Sequence, residues 1–183
     1  MSEDRRIKRT KENIKNTLIK MLEDMPITSV SVTELTEKAN ISRKTFYLHY
    51  NSVYDAVDDI DNDLSDLLQN LVDRMERDQE KIDASQFFSE LNEGIKYHKE
   101  LVEYFVFSSN HSALKEKVSR ILKNALLERI ENYEPKQDNE YIAEFLVGGI
   151  ISAFTQWYKN QTISNEELMD ILTKFCNLAK GLI

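Results

Sequence analysis

Residues 31–57 read SVTELTEKANISRKTFYLHYNSVYDAV and contain three helix starts in quick succession. Two pairs place a serine hydroxyl three residues before a carboxylate: Ser31 with Glu34, and Ser52 with Asp55. There the carboxylate can accept a hydrogen bond from the cap amide, and it also meets the positive end of the helix dipole. Ser42 is a third N-cap candidate. The stretch therefore predicts a short helix, a second one over about residues 42–50, and the start of a third.

A tight turn separates the first two helices. Asn40 and Ile41 lie at the break, and Asn tolerates the left-handed backbone conformation of such a turn, though less cheaply than Gly. In the second helix Phe46 and Tyr50 are four residues apart and share one face. Several polar side chains are left for the other faces: Arg43, Lys44, Tyr47 and His49. These features indicate a helix-turn-helix with a cationic and aromatic second helix.

The run ISRKTFYLHYNSVYDAV, preceded by SVTELTEKAN, resembles the DNA-binding segment of TetR-type (TetR/AcrR) transcriptional regulators. Their hallmark is an aromatic pair, then a His or Tyr with an aromatic, and then a Ser or Asn cap that opens a long helix. The matching positions are Phe46-Tyr47, His49-Tyr50 and Ser52. Two positions depart from the pattern, since Asn40 replaces the usual Gly and Val53 replaces a phosphate-contacting Lys. The resemblance covers about the first third of the chain.

The resemblance implies an all-α protein of two parts. Residues 1–51 would form a three-helix helix-turn-helix DNA-binding domain, and residues 52–183 a helical bundle for effector binding and dimerisation. The implied function is a sequence-specific regulator, a ligand-responsive repressor that binds a palindromic DNA operator as a homodimer and needs no cofactor. The alternative is a helical protein-interaction or co-activator module that has lost small-molecule sensing.

The DNA contacts can be assigned by position in the helix-turn-helix. Arg43, Lys44 and Thr45 begin the second helix and are candidates for base edges or phosphates, because Arg and Lys suit guanine and the Thr methyl suits thymine. Which of the two cations reads a base stays open. The remaining candidates, for phosphate, are Tyr47, His49, Thr33 and Ser31. In the resembled family the N-terminal arm also approaches DNA, which makes Arg5, Arg6 and Arg9 weaker candidates.

Length and composition limit the class of protein. A chain of 183 residues can bury a real core, and four Gly with two Pro suit a mostly helical chain. The single cysteine, Cys176, excludes an intramolecular disulfide and agrees with a reducing compartment. The N-terminal residues lack the apolar core of a signal peptide, and the longest apolar run, residues 145–154, is shorter than a membrane span. We therefore expect a soluble cytoplasmic protein.

The charges are distributed unevenly. Residues 1–50 contain ten Lys or Arg and seven Asp or Glu, a net charge of +3, whereas residues 51–183 contain 14 and 25, a net charge of −11. A modestly basic segment on an acidic body is typical of a DNA-reading domain attached to a regulatory domain. Charge also fluctuates along any chain, so the asymmetry supports this interpretation without establishing it.

The third helix of the opening stretch continues as a long amphipathic helix. Its apolar stripe runs to about Arg77, a length of ~38 Å at 1.5 Å per residue. An acidic run over residues 55–66 includes DIDND, which suggests a calcium loop, but Leu64 and Asn70 stand where that loop needs Gly and Glu. We interpret the acidic run as a solvated face.

Further helices are predicted from the apolar spacing: about 87–98, 100–107, 114–130, 139–159 and 165–179. The last two carry more apolar surface than one chain is expected to bury, and Gly148-Gly149 would allow another helix to approach closely. In TetR-type proteins the last two helices pair with those of a second subunit, which places a dimer interface at about residues 139–182. The alternative is that both helices complete the core of one chain.

The middle of the chain would hold an unidentified small-molecule effector. Aromatic and polar residues suited to a pocket are Phe88, Tyr97, Tyr104, Phe107, His111, Phe154 and Trp157, with His98 and Tyr158 as further candidates. For each of them ordinary core packing is the competing interpretation. No two of His98, His111 and Cys176 have ligand-pair spacing, so no metal site is expected. The chain also lacks the sequence motifs of common enzyme classes, so an enzyme is not expected.

Overall fold

The computed structural model describes residues 2–77, 84–107, 112–131 and 138–180. These residues form helices and contain no strand, which confirms the predicted all-α class. The helices are α1 (Ser2–Asp24), α2 (Val32–Lys38), α3 (Arg43–Tyr47), α4 (Val53–Arg77), α5 (Ala84–Tyr97), α6 (Lys99–Phe107), α7 (Ser112–Glu131), α8 (Asn139–Asn160) and α9 (Asn165–Lys180), with a 3-10 helix (Ile27–Ser29) between α1 and α2. Within those ranges no helix combines the length and apolarity that crossing a membrane requires.

The observed helix bounds agree with the sequence prediction to within three residues, and the end of α3 is one of the two largest differences. That helix was expected to reach Tyr50 and ends at Tyr47. The reason is local, because the N–H of His49 donates to the carbonyl of Phe46, three residues back, and closes a tighter turn. The polar stretch 77–84 is predicted as a loop, but its end residues are helical, Arg77 in α4 and Ala84 in α5. Its residues 78–83, and the predicted breaks at 108–110 and 134–136, lie outside the described residues.

The chain divides into two compact units. The first contains the described parts of Met1–Leu64 and Glu100–His111, and the second those of Ser65–Lys99 and Ser112–Ile183. Helix α4 therefore contributes to both units, and α6 belongs to the first although its neighbours in sequence belong to the second. The functional boundary at residues 51 and 52 stays a prediction.

In the first unit, α1, α2, α3 and the start of α4 share a small core. Helix α2 packs against both α1 and α3. The fully buried side chains include Ile14 and Leu18 from α1, Leu35 from α2, Phe46 from α3 and Ile60 from α4. The Asn13 side-chain amide donates to the Ala39 carbonyl at 2.7 Å and fixes α1 against the end of α2. This core holds the helix-turn-helix in place.

In the second unit, α5 packs on α9, and α8 packs on both α7 and α9. One apolar cluster has Phe88 of α5 and Leu168, Met169 and Leu172 of α9 as its buried centre. Half-buried side chains of α8 complete it, among them Phe154 and Trp157. The unit thus buries apolar stripes of amphipathic helices against one another.

Candidate nucleic-acid interface

Serine side chains begin the three helices of the helix-turn-helix region as the sequence predicts. The hydroxyl oxygen of Ser31 accepts from the Glu34 N–H at 3.1 Å, and that of Ser42 accepts from the Thr45 N–H at 3.0 Å. Ser52 accepts from the Asp55 N–H at 3.2 Å. Each bond satisfies one of the amides that a helix start leaves unpaired.

The turn between α2 and α3 is built around Asn40, whose φ of 52° lies in the left-handed region. The Asn40 N–H donates to the Glu37 carbonyl at 3.1 Å, and the Ile41 N–H donates to the Thr36 carbonyl at 3.0 Å. This pair of bonds is the Schellman arrangement that ends a helix. The turn predicted at Asn40 is confirmed.

Helix α3 has a buried face and an exposed face. Phe46 is fully buried and Tyr50 nearly so, and their rings lie 5.8 Å apart. On the exposed face, Arg43 and Tyr47 form one line along the helix, and Lys44 forms a second with Leu48 just beyond the helix end. Tyr47 is 50% exposed and Leu48 is 73% exposed. We name these four residues, Arg43, Lys44, Tyr47 and Leu48, the α3 reading face.

The structure places the seven predicted DNA-contacting residues in one compact unit, on or directly beside α2 and α3. Arg43, Lys44 and Tyr47 lie on the α3 reading face, while Thr45 and His49 are half-buried at its edges. The Thr45 hydroxyl shares a 2.8 Å hydrogen bond with that of Ser42. Ser31 and Thr33 are exposed at the start of α2. The roles of these residues in DNA contact stay predictions.

A charged network, which the sequence did not suggest, links α1, the end of the helix-turn-helix and α4. The Tyr50 hydroxyl donates to Asp59 Oδ2 at 2.7 Å. Lys11 Nζ lies 3.0 Å and Lys15 Nζ 3.5 Å from the same carboxylate oxygen, and Lys15 also pairs with Asp63. Lys11 lies over the Tyr50 ring, 5.3 Å from its centroid. We name this set the Asp59 network.

The contacts of the Asp59 network shift the pKa values of Tyr50 and Asp59. Burial, together with the hydrogen bond to Asp59, raises the pKa of the Tyr50 hydroxyl, so it stays a donor. Burial alone would raise the pKa of Asp59, but the hydrogen bonds from Tyr50 and Lys11 and the charges of both lysines outweigh burial and lower it. Asp59 is therefore a stable anion that pairs with two cations of α1, Lys11 and Lys15.

The acidic run of α4 is consequently more than the solvated face that we expected. Asp59 and Asp63 form ion pairs with α1, and Asp61 Oδ1 accepts from the Tyr104 hydroxyl at 2.8 Å. Tyr104 is only 1% exposed, and burial together with the bond to Asp61 raises the pKa of its hydroxyl. Within the first unit, the acidic side of α4 therefore holds α1 through ion pairs and α6 through a hydrogen bond.

The first turn of α4 contains Val53 at the position where the resemblance predicts a phosphate-contacting lysine. Val53 is buried at 5% exposure and cannot reach a ligand. Tyr54 beside it is 54% exposed. The carboxylate of Asp55 accepts from the Asn51 side chain and backbone and from the Ser52 hydroxyl, which lowers its pKa. Leu48 and Tyr54 were missed in the sequence, although the position of Leu48 four residues after Lys44 could have placed it on the exposed face.

The predicted effector residues do not form one group. Phe88, Phe154 and Trp157 share the apolar cluster of the second unit, where the Trp157 indole N–H donates to the Ile163 carbonyl at 2.8 Å. Tyr97 is 80% exposed, whereas Tyr104 and Phe107 belong to the first unit. His111 lies outside the described residues. The assignment of these side chains to an effector stays a prediction.

A separate groove of about 700 Å³ lies between α7 and α8 and contains none of the predicted effector residues. Its walls are mostly polar, with Arg120 and Ser119 on α7 and Thr155 and Gln156 on α8. Lys123 Nζ crosses it to pair with Glu144 Oε2 at 3.2 Å. No cluster of potential metal ligands is present in the described parts of the chain.

The second unit also carries an exposed apolar surface on its last two helices. We name it the α8/α9 apolar face; its large side chains and their exposures are Tyr141 (79%), Phe145 (80%), Ile171 (40%), Phe175 (63%) and Leu178 (69%). Gly148 and Gly149 are exposed on α8 as well, and a Cβ added to either would meet nothing within 4 Å. Among the described residues nothing packs against these glycines, although Gly148 also lines the groove between α7 and α8. Each glycine costs the helix roughly 1 kcal/mol.

Comparison with known proteins agrees with the fold. A family model described as the transcriptional regulator C-terminal region of TetR proteins matches residues 82–178, more than half of the chain. The chain belongs to the TetR family of transcriptional regulators, which are not enzymes. No curated protein matches it.

Solved structures of the family have the same fold at low identity. A putative TetR-family regulator from Syntrophomonas wolfei str. Goettingen is 18% identical, with a TM-score of 0.71 over 96% of this chain and 97% of that chain. A TetR regulator from Streptococcus agalactiae 2603V is 19% identical, with a TM-score of 0.66 over 96% and 97%. A regulator from Aquifex aeolicus VF5 is 20% identical, with a TM-score of 0.68 over 92% and 98%.

Proposed function

We propose that the chain is a ligand-responsive repressor that binds a palindromic DNA operator as a homodimer in the cytoplasm. The observation that carries this proposal is the α3 reading face. Arg43, Lys44 and Tyr47 are exposed there, opposite a face that Phe46 and Tyr50 anchor in the core. A short helix held from behind, with cations and a phenol in front, has the form of a recognition helix for the major groove.

The proposed DNA contacts fall into two classes, those to base edges and those to phosphates. Arg43 and Lys44 would donate to guanine O6 and N7 or to phosphates, and Thr45 would contribute its methyl group or hydroxyl. Tyr47 and His49 would bind phosphates on one side of the groove. Ser31 and Thr33 would do so from the start of α2, where the Ser31 hydroxyl is still free to donate while its oxygen caps the helix.

Dimerisation would proceed through the α8/α9 apolar face. Tyr141, Phe145, Phe175 and Leu178 are each more than 60% exposed, and they lie on two helices that pack against each other. Several large apolar side chains left in water support an interaction site there. The exposed glycines would let the α8 helix of a second copy approach closely. A recognition helix of five residues reads few base pairs, so pairing two copies would extend the site to two half-sites spaced by a multiple of about 34 Å.

The ligand response would pass through α6 and α4. Tyr104 joins α6 to the acidic side of α4 within the first unit, and α6 lies in sequence between α5 and α7 of the second unit. An effector in the second unit that favours another position of α6 would therefore act on α4. A typical coupling of about 1–3 kcal/mol would lower operator affinity by roughly 5- to 150-fold. Phe88, Phe154 and Trp157 remain the proposed effector contacts.

The first test is DNA binding by the full chain. We would select its preferred site from random duplex DNA and measure affinity by gel shift at several salt concentrations. Binding should weaken linearly on a log–log plot as salt rises, because phosphate contacts release counterions. Tyr47→Ala should reduce affinity at least tenfold with unchanged helical content, whereas Tyr97→Ala, at an exposed tyrosine of the second unit, should not. Failure to enrich any sequence would contradict the proposal.

A further inference from the structure

Leu48 is the most exposed large hydrophobic side chain among the described residues of the first unit, at 73% compared with 54% for Tyr54 and 50% for Tyr47. Its position is fixed by the backbone rather than by packing. The Leu48 N–H donates to the carbonyls of Lys44 at 3.2 Å and Thr45 at 3.3 Å, and its φ of −73° and ψ of −17° remain helical. Leu48 therefore extends the line of Lys44 by one helical turn.

A single exposed leucine is common on protein surfaces and usually needs no explanation. This one differs because it lies on the same face as Arg43, Lys44 and Tyr47, the residues proposed to enter the DNA groove. When that face docks, Leu48 must leave water and meet a base edge or the sugar-phosphate backbone. Its environment in the complex is therefore set by the DNA.

The major groove offers one strongly apolar group, the 5-methyl of thymine. The remaining base-edge groups there are mainly hydrogen-bond donors or acceptors, and a leucine against them would remove their water and return no hydrogen bond. We propose that Leu48 contacts a thymine methyl and so selects a T·A pair next to the base pair that Arg43 or Lys44 reads. The inference rests on the proposed DNA binding and adds a specificity-determining residue to it.

The experiment combines a protein variant with a DNA variant. In the selected site each thymine is replaced in turn by deoxyuridine, which lacks only the methyl group, and the affinity of the full chain is measured. One symmetry-related pair of thymines should matter, with about a fourfold loss per half-site and about fifteenfold for both, as expected for one buried methyl each. In Leu48→Ala the same replacement should have less than a twofold effect.

Two further variants control for folding and for general weakening. Leu48→Met keeps an apolar side chain and should retain the thymine preference, whereas Leu48→Gln keeps the size and should lose it. Lys44→Ala should bind more weakly but keep the full penalty for deoxyuridine. The inference is overturned if no thymine methyl affects binding, or if Leu48→Ala keeps the penalty. A wild-type chain that selects no DNA would overturn the proposed function together with it.

Discussion

The α3 reading face and the α8/α9 apolar face both leave large side chains in water, but their chemistry differs. The α3 face carries two cations, a phenol and one leucine on a helix of five residues. The α8/α9 face carries three phenyl or phenol rings and two aliphatic side chains on helices of 22 and 16 residues. The first is small and mostly hydrophilic, and the second is large and apolar.

This difference indicates how each face is used. Cations and a phenol are well hydrated when free, so a face built from them can bind and release a polyanion with little cost to the free protein. Leaving aromatic rings exposed to water is unfavourable in free energy compared with burying them. We therefore expect the α8/α9 face to be covered continuously and the α3 face to be occupied only intermittently.

The largest expected effect is at the α8/α9 face. Phe145→Asp would put a charge in the proposed interface and should raise the dimer dissociation constant more than 100-fold, because a buried unpaired charge costs several kcal/mol. Sedimentation at several protein concentrations measures it. Tyr97→Asp is the matched control, since Tyr97 is as exposed as Phe145 but lies on α5. Equal behaviour of the two variants would show that the apolar face is not the interface.

Next in size is the distinction between Arg43 and Lys44 on the α3 reading face. Alanine at the one that reads a base should cost about 1–3 kcal/mol and relax selectivity at one base pair. Alanine at the one that binds phosphate should weaken binding to all sequences and reduce the salt slope by about one. Competition gel shifts against single base-pair variants separate the two. Lys96→Ala, which removes an exposed cation paired with Glu93, should change neither quantity.

A smaller effect is expected at the Asp59 network, which holds the α3 reading face from behind. Asp59→Asn should lower the free energy of unfolding by about 1–2 kcal/mol, because Lys11 loses its anionic partner while Lys15 keeps only Asp63. Urea titration measures it. Asp170→Asn breaks an exposed pair with Lys174 on a single helix and should cost less than about 0.5 kcal/mol.

The same network predicts a pH dependence. The pKa of Asp59 is lower in the folded protein than in the unfolded chain. Its contribution to stability is therefore full above the ordinary carboxyl pKa, about 4, and is lost as the pH falls through the lowered value. The stability of Asp59→Asn should fall less steeply between about pH 5 and pH 2 than that of the wild type. Parallel curves would exclude Asp59 as the stabilising anion.

The smallest effect concerns the glycines of α8. Gly148→Ala should stabilise the isolated chain by about 0.5–1 kcal/mol through helix propensity, since its Cβ would meet no atom of the described residues within 4 Å. It should also weaken dimerisation, because the new methyl group would separate the two α8 helices. Gly94→Ala on α5 has equal space and should show the gain alone. A dimer unaffected by Gly148→Ala would place the interface elsewhere on α8.

Local features of the fold could be predicted from the sequence. Ser31, Ser42 and Ser52 accept from amides three residues away, and Asn40 decides a turn by its own backbone, so short stretches contain the necessary information. The spacing of apolar residues likewise predicts the approximate bounds of the helices. It could not show that Phe145 would be exposed, because periodicity marks an apolar side of a helix without saying whether the chain itself covers that side.

Contacts between distant residues could not be predicted. Lys15 and Asp63 are separated by 48 positions and Tyr104 and Asp61 by 43, and nothing in their local sequence requires them to meet. For this reason the local sequence indicates a solvated acidic run on α4, and the structure differs. On the candidate site, the polar members of the α3 reading face could be chosen by residue type, while Leu48 could be placed there only by its spacing from Lys44.

Trp157 gives the protein a built-in optical reporter. It is the only tryptophan in the sequence, and its indole is half-buried between α8 and the loop that carries Ile163. Its emission is therefore free of interference from other indoles. Any molecule that inserts beside Phe154, or any loosening of α8 against α9, should shift the wavelength or intensity of that emission, so a library of small molecules can be screened on the unlabelled protein in a fluorimeter.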